Sequence, residues 1–196
     1  MADADDGQNA LAPAAPAYSL WLLPEAAAQE RLTALVGELA PRFRTRAFTP
    51  HVTVQGDLAQ RLKDVVAAAA TLADGLAAQR PAVRGVEQST HYYRAFYLAF
   101  DGFDAFTPLV RRSAQAFATD AGLSPFPHLS LAYGTLAADA KDRLAAEFAA
   151  RIPRWIVFDR LAIALSGKGV GIASWRVLQT FALAPPAPST QGESSP

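Results

Sequence analysis

The sequence has no cysteine, and this absence excludes several kinds of site at once. A thiol nucleophile, a thiolate metal site, a redox switch and a disulfide all require cysteine sulfur. Without disulfides the cellular compartment stays open, although a reducing one is the simpler interpretation. The hydrophobic core must therefore hold the fold, and 196 residues are enough to bury one.

The sequence also lacks an excess of either charge. It has 18 Lys and Arg residues against 18 Asp and Glu residues, so the formal net charge is zero. A protein that binds a long nucleic acid by neutralising many phosphates normally has a basic excess. We therefore expect a small substrate rather than a nucleic-acid polymer, and the scarcity of lysine favours the same interpretation.

Long apolar runs are absent too, and none approaches the length that spans a membrane. The N-terminal residues carry Asp3, Asp5 and Asp6 where a secretory signal carries positive charge. The composition is 51% hydrophobic and 18% charged, which is typical of a compact fold. We expect a cytoplasmic, monomeric protein that does not associate with membranes.

Both ends of the chain are low in complexity. Residues 1–16 are rich in Ala, Pro and Asp, and residues 184–196 read APPAPSTQGESSP, so neither segment offers much that a core could bury. We predict disordered tails at 1–16 and 184–196. The domain is predicted to lie between them, at 17–183.

Within that domain the hydrophobic periodicity alternates between the values typical of strands and of helices. Strand patterns lie at 17–23, 51–56, 82–89, 93–101, 128–133, 154–165 and 172–183, and helical patterns lie at 25–39, 58–72, 104–120 and 136–149. This is an α+β pattern. Because a similar histidine strand occurs in each half, we predict two pseudo-symmetric lobes of antiparallel sheet, with flanking helices, around a central cleft.

Two of the three histidines open the same pattern, HVTV at 51–54 and HLSL at 128–131. Successive side chains of a strand point to opposite faces, so each motif presents one imidazole and one hydroxyl together. If about one residue in eight is Ser or Thr and about half are apolar, a histidine meets this pattern by chance in roughly three cases in a hundred. Two matches therefore indicate a function. His91 matches no pattern and is interpreted as a surface residue.

Two imidazoles, His51 and His128, facing a cleft with the hydroxyls of Thr53 and Ser130 suit hydrolysis of a cyclic phosphodiester. One neutral imidazole can take a proton from water while the other, as imidazolium, protonates the leaving ribose oxygen. The hydroxyls can donate to the non-bridging phosphate oxygens, whose charge grows as water adds. This chemistry needs no metal and no cofactor, and the donors fall short of the three or four ligands usual for zinc.

The chain here resembles a known family. The repeated H-x-[ST]-x motif is the signature of the two-histidine (2H) phosphoesterases. The surrounding residues resemble the branch of cyclic phosphodiesterases that act on ADP-ribose 1″,2″-cyclic phosphate and nucleoside 2′,3′-cyclic phosphates. The segments that carry the resemblance are YSLWLLP at 18–24, FTPHVTV at 48–54, YRAFYL at 93–98, PHLSLAY at 127–133, and RLAI at 160–163 with Trp175. The resemblance covers about residues 17–183.

The resemblance implies roles for six residues. The catalytic pair is His51 and His128, the phosphate-binding pair is Thr53 and Ser130, and the aromatic residues that contact or stack on the nucleotide are Trp21 and Tyr133. It also implies that the protein acts on a small cyclic-phosphate nucleotide. Which histidine is the base stays open.

Tyr133 needs a particular local geometry to reach the site. It lies five residues after His128 and so on the opposite face of a regular strand. It must therefore reach the cleft where the strand ends, at Gly134.

Two other functions remain open at this point. One is a related enzyme of RNA ends, a 2′,3′-cyclic phosphodiesterase or 2′-5′ RNA ligase. The other is a nucleotide-binding module that has lost turnover, although binding alone does not require two proton-transfer groups.

Two further features are interpreted structurally. Residues 167–171, GKGVG, superficially resemble a phosphate loop, but strand patterns flank them and no Ser or Thr follows the lysine, so we predict a hairpin turn. Arg42, Arg44 and Arg46 precede the first motif and could attract phosphate, but a solvated loop is favoured.

Overall fold

A computed structural model of the chain describes residues 17–102, 106–167 and 169–185. The predicted tail at 1–16 lies outside the described residues, as does all of 184–196 except Ala184 and Pro185. Ala184 forms an isolated bridge with Ala77. Among the described residues, none of the helices is both long and apolar enough to cross a bilayer.

The described residues contain seven strands and four α-helices. The strands are β1 (Tyr18–Pro24), β2 (Val52–Leu58), β3 (Val83–Gln88), β4 (Phe96–Phe100), β5 (Leu129–Ala132), β6 (Phe158–Leu165) and β7 (Arg176–Ala182). The helices are α1 (Ala26–Arg42), α2 (Leu62–Ala73), α3 (Thr107–Phe117) and α4 (Ala138–Phe148). The α+β prediction is confirmed.

The seven strands form one antiparallel sheet in the order β3-β4-β5-β2-β1-β6-β7. Strands β2 and β5 meet at its centre through the pair Val52 and Leu129. This narrow junction divides the sheet into halves of four and three strands, and each half carries one histidine motif. The two predicted lobes are therefore present, and they share a continuous sheet.

The two faces of the sheet differ because side chains alternate along each strand. Leu20 and Leu22 of β1 are fully buried in the main core, which also holds the apolar stripe of α1. Ser19 and Trp21 lie on the opposite face, which the helices leave uncovered. The helices thus fill one side of the sheet and leave the other side for a cleft.

Three predicted strands begin later than their sequence pattern indicates, and one of them, β6, begins at Phe158 rather than at residue 154. The residues Tyr92–Arg94 and Ile172–Ser174 form short 3-10 turns before β4 and β7. The aromatic and apolar residues of these turns mimic a strand pattern. Tyr93 of the first turn, and Trp175 directly after the second, line the cavity described below.

A close backbone contact fixes the loop that leads to the second motif. The N–H of Gly56 donates to the carbonyl of Gly122 at 2.7 Å, and a Cβ on Gly122 would lie 1.9 Å from the Gly56 oxygen. The buried amide of Gln55 donates to the carbonyls of Thr119 and Ala121 at 2.9 and 2.8 Å. Only glycine at 122 permits this approach, which joins the end of β2 to the loop before β5.

Candidate active site

A cavity of about 480 Å³ opens on the uncovered face of the sheet. The six residues named from the sequence all line it: Trp21, His51, Thr53, His128, Ser130 and Tyr133. Val52 and Val54 lie behind the first motif in the core, as Leu129 and Leu131 lie behind the second. The two motifs therefore bring their imidazoles and hydroxyls into one space.

The two histidines are held in the same way. His51 Nδ1 lies 2.6 Å from the carbonyl oxygen of Thr49, and His128 Nδ1 lies 2.7 Å from that of Phe126. A carbonyl oxygen only accepts, so Nδ1 of each ring is the protonated nitrogen that donates. In each neutral imidazole Nε2 then keeps its lone pair. The two motifs thus select one tautomer twice, and Nε2 is the atom that can exchange a proton.

His51 is the more deeply buried of the two rings. It is 5% exposed and lies flat on Trp21, with ring centroids 3.6 Å apart and 12° between the planes. Burial lowers the pKa of His51 to about 4, and the hydrogen bond to the Thr49 carbonyl opposes this shift only in part. His51 is therefore neutral in the unliganded protein at pH 7.

His128 packs against a different set of aromatic rings. Tyr97 and Phe126 lie with their ring centroids 5.3 and 6.0 Å from it. Burial lowers the pKa of His128 below its usual value, and the positive charge of Arg94 acts in the same direction. Both imidazoles thus sit in surroundings that disfavour a second proton.

The two hydroxyls are placed differently. Thr53 is half-buried and lies opposite Trp21 in the pairing of β1 with β2. Ser130 is buried, and its Oγ donates to the carbonyl oxygen of Tyr93 at 3.1 Å. To donate to a bound phosphate, the Ser130 hydroxyl would therefore have to break its hydrogen bond to this carbonyl.

The two aromatic residues implied by the resemblance line the cavity, and each has one flat face against another ring. Trp21 is 2% exposed, with His51 against one face. Tyr133 is 4% exposed and stacks on Phe48, with centroids 4.0 Å apart. It follows Ala132, the last residue of β5, and precedes Gly134, whose φ of +105° turns the chain. A neighbouring ring thus already occupies one face of each aromatic residue, and contact of Trp21 and Tyr133 with a nucleotide stays a prediction.

Sequence reasoning missed several residues that line the cavity, among them Tyr93, Trp175, Ser19 and Ser166. Ser19 could have been found, because it lies two residues before Trp21 on the same strand face. The other three lie in or beside turns and a long loop, where the sequence pattern does not predict the direction of a side chain.

The glycine-rich segment belongs to a connection that is longer than the predicted hairpin turn and that reaches the cavity. Strands β6 and β7 pair antiparallel as predicted, but residues 166–175 connect them and Gly167 and Gly169 line the cavity. The Oγ of Ser19 donates to the Ser166 carbonyl at 2.5 Å, whereas the Ser166 Oγ is buried without a hydrogen-bond partner. Lys168 lies outside the described residues.

The predicted surface residues stay outside the cavity. Arg42 pairs with Glu147 at 2.7 Å, and Arg44, Arg46 and His91 are exposed. Across the described ranges, no group of three or more His, Asp or Glu side chains is arranged to hold a metal ion.

A family model matches most of the chain and so identifies its family. The model of the family described as cyclic phosphodiesterase-like protein matches residues 16–185. This chain belongs to that family. The resemblance to the cyclic phosphodiesterase branch of the 2H phosphoesterases is thereby confirmed, and membership indicates a phosphoesterase.

Solved structures show the same fold. Apo LigT of E. coli aligns with a TM-score of 0.57 at 14% identity, over 86% of this chain and 98% of LigT. The protein TT0787 of Thermus thermophilus aligns with a TM-score of 0.53 at 19% identity, over 86% of this chain and 98% of that one. At such identities the likeness shows the fold alone. Comparison with curated protein sequences gave no match.

Proposed function

We propose that this cyclic phosphodiesterase-like protein hydrolyses a small cyclic phosphodiester to a monophosphate without a metal ion. The substrate class is a nucleoside 2′,3′-cyclic phosphate or ADP-ribose 1″,2″-cyclic phosphate. The observation that carries the proposal is the matched pair of histidines. Each donates Nδ1–H to the carbonyl two residues back, each keeps Nε2 for proton transfer, and both line one cavity.

The reaction balances with one water molecule. The water oxygen forms a bond to phosphorus as the bond from phosphorus to one ribose oxygen breaks. One neutral imidazole takes the proton that the water loses, and the other, as imidazolium, gives a proton to the leaving oxygen. The two histidines exchange protonation states in each turnover, and His51 and His128 return to their starting states through solvent.

Binding of the anionic substrate offsets the lowered pKa values of the two buried imidazoles. Both free rings have lowered pKa values because they are buried. A phosphodiester anion held between them stabilises an imidazolium, so its binding raises both pKa values and permits one proton on the pair. Thr53 and Ser130 donate to the non-bridging oxygens, where negative charge grows as water adds.

The size of the cavity suits a small nucleotide. Its volume of about 480 Å³ falls within the range typical of small-molecule sites. LigT of E. coli, which shares the fold, has been crystallised with 3′-AMP. We extend the proposal to a monomeric, cytoplasmic enzyme that acts without a nucleic-acid polymer as partner.

A substrate panel tests the proposal. Nucleoside 2′,3′-cyclic phosphates, ADP-ribose cyclic phosphate and an oligonucleotide ending in a cyclic phosphate are assayed with and without EDTA. We expect higher kcat/KM for the small substrates and no effect of EDTA, because imidazoles and hydroxyls carry the steps. Loss of activity in EDTA that a divalent metal restores contradicts the mechanism. A strong, salt-sensitive preference for the oligonucleotide favours the RNA-end enzyme, and binding without turnover favours the nucleotide-binding module.

A further inference from the structure

Two aromatic rings line the cavity without being sealed into the core. Tyr93 is 59% exposed and Trp175 is half-buried, and both contribute to the cavity wall. Their rings are nearly parallel, with 22° between the planes and 6.2 Å between the centroids. Two rings that both stack on a flat base lie about 7 Å apart, since each contact needs about 3.5 Å. The pair is thus close to the spacing of an aromatic slot.

The two rings differ in how firmly they are held. Trp175 donates its Nε1–H to the carbonyl of Val170 at 2.9 Å, and its ring also contacts the Trp21 ring, with centroids 6.0 Å apart. Tyr93 presents its ring to solvent, so a small rotation of that side chain can widen the gap. Trp175 therefore serves as a fixed wall and Tyr93 as an adjustable one.

The slot lies at the correct distance from the proposed chemistry. The ring centroids of Trp175 and His51 are 6.3 Å apart. In a nucleoside 2′,3′-cyclic phosphate the base is attached at C1′, next to the carbon that bears the phosphate. A base-binding slot must then lie within one ribose of the histidines, and this one does.

We propose that Tyr93 and Trp175 bind the base of the substrate and make nucleoside 2′,3′-cyclic phosphates the preferred substrate class. The proposal deepens the proposed function and rests on it for the position of the phosphate. In ADP-ribose 1″,2″-cyclic phosphate the ribose that carries the cyclic phosphate has no base, and its adenine lies beyond a diphosphate. That substrate therefore gains nothing from a slot beside His51.

Substitution of Tyr93 separates base binding from catalysis. Ser130 donates to the backbone carbonyl of Tyr93, which Tyr93→Ala retains, so the variant removes the ring alone. We expect Tyr93→Ala to raise KM for adenosine 2′,3′-cyclic phosphate about 5- to 100-fold, the usual effect of losing one base stack, with kcat changed less than about threefold. Tyr93→Phe keeps the ring and should restore the wild-type KM.

A base-free substrate and a remote exposed aromatic residue supply the controls. The cyclic phosphate of 1,4-anhydroerythritol keeps the five-membered ring and the phosphate but has no base, so Tyr93→Ala should leave its KM within about twofold. Trp155 is 49% exposed and is absent from the cavity wall, so Trp155→Ala should leave both KM values unchanged. An equal rise of KM for both substrates in Tyr93→Ala, an unchanged KM for the nucleotide, or an equal effect of Trp155→Ala overturns the slot.

The two proposals fail in different ways. If wild-type protein opens neither cyclic phosphate, the proposed function is wrong, and calorimetric titration still tests the slot. Adenosine 2′-monophosphate and 3′-monophosphate should then bind wild-type protein at least fivefold more tightly than the base-free monophosphate, and Tyr93→Ala should remove the difference. Equal binding of the nucleotides and the base-free monophosphate overturns the slot in that case too.

Discussion

Trp21 lies flat against His51, and the two rings are the most closely stacked pair that we describe at the cavity. The indole holds the imidazole in one plane while Thr49 fixes its tautomer. The same contact keeps water from His51 and so lowers its pKa. Trp21 thus acts on both the orientation and the basicity of His51.

Substitution of Trp21 should affect kcat more than KM. We expect Trp21→Leu to lower kcat about 10- to 100-fold, because a small displacement of a proton-transfer group has an effect of that size. Trp21→Phe keeps an aromatic face and should lose less. Steady-state kinetics, with circular dichroism to verify folding, measure this. A rise in KM at unchanged kcat would instead assign Trp21 to direct binding of the nucleotide.

Each histidine variant should be severely impaired. His51→Ala and His128→Ala are expected to lower kcat by about two to four orders of magnitude, the usual contribution of a positioned acid or base. His91→Ala is the matched control, because His91 is exposed and does not line the cavity. Near-wild-type activity in either cavity variant, or an equal loss in the control, rules out the two-histidine mechanism.

The hydroxyl variants should lose less than the histidine variants. Thr53→Ala and Ser130→Ala are each expected to lower kcat/KM about 10- to 100-fold, since each removes one hydrogen bond to a charged oxygen worth about 1.5 to 3 kcal/mol. Thr53→Ser keeps the hydroxyl and serves as the control. Thr53→Ser that is as impaired as Thr53→Ala would mean that the methyl group, rather than the hydroxyl, matters.

The pH dependence of kcat/KM should be bell-shaped and displaced to acid. The base must be neutral, so activity falls when pH drops through its pKa; the acid must be protonated, so activity falls when pH rises through its pKa. Burial lowers both pKa values, that of His51 to about 4. We expect a maximum below the ordinary histidine pKa of about 6.5, and a kcat profile at higher pH because bound phosphate raises both values. A kcat/KM maximum above pH 7 contradicts this.

Burial of His51 should also make stability depend on pH. Its pKa is about 4 in the folded protein and about 6.5 when unfolded, so protons bind preferentially to the unfolded chain between these values. The contribution of His51 to stability is then fully present above pH 6.5 and falls by about 3 kcal/mol as pH drops to about 4. Urea unfolding of wild type and His51→Gln at several pH values isolates this effect. Parallel pH dependences for the two proteins would contradict it.

The sequence by itself determined the class of fold, the paired motifs and the family. Alternation along 51–54 and 128–131 is a local property, because side-chain direction on a strand depends only on position, so it placed His51 and His128 beside their hydroxyls. Periodicity likewise located the seven strands and four helices, to within a few residues at most ends. These features need no knowledge of which segments meet.

Only the tertiary structure decided which groups at the cavity are free and which are occupied. Trp21 and Tyr133 are aromatic residues of the kind that stack on bases, but His51 and Phe48, which lie far along the chain from them, each cover one of their faces. Tyr93 became available because a 3-10 turn precedes β4, and Ser166, Gly167 and Gly169 line the cavity because the loop after β6 folds along it. The lowered pKa values of the two histidines have the same origin, since burial depends on all the elements packed around a group. Exposure and basicity are set by contacts between distant segments, and no local pattern encodes them.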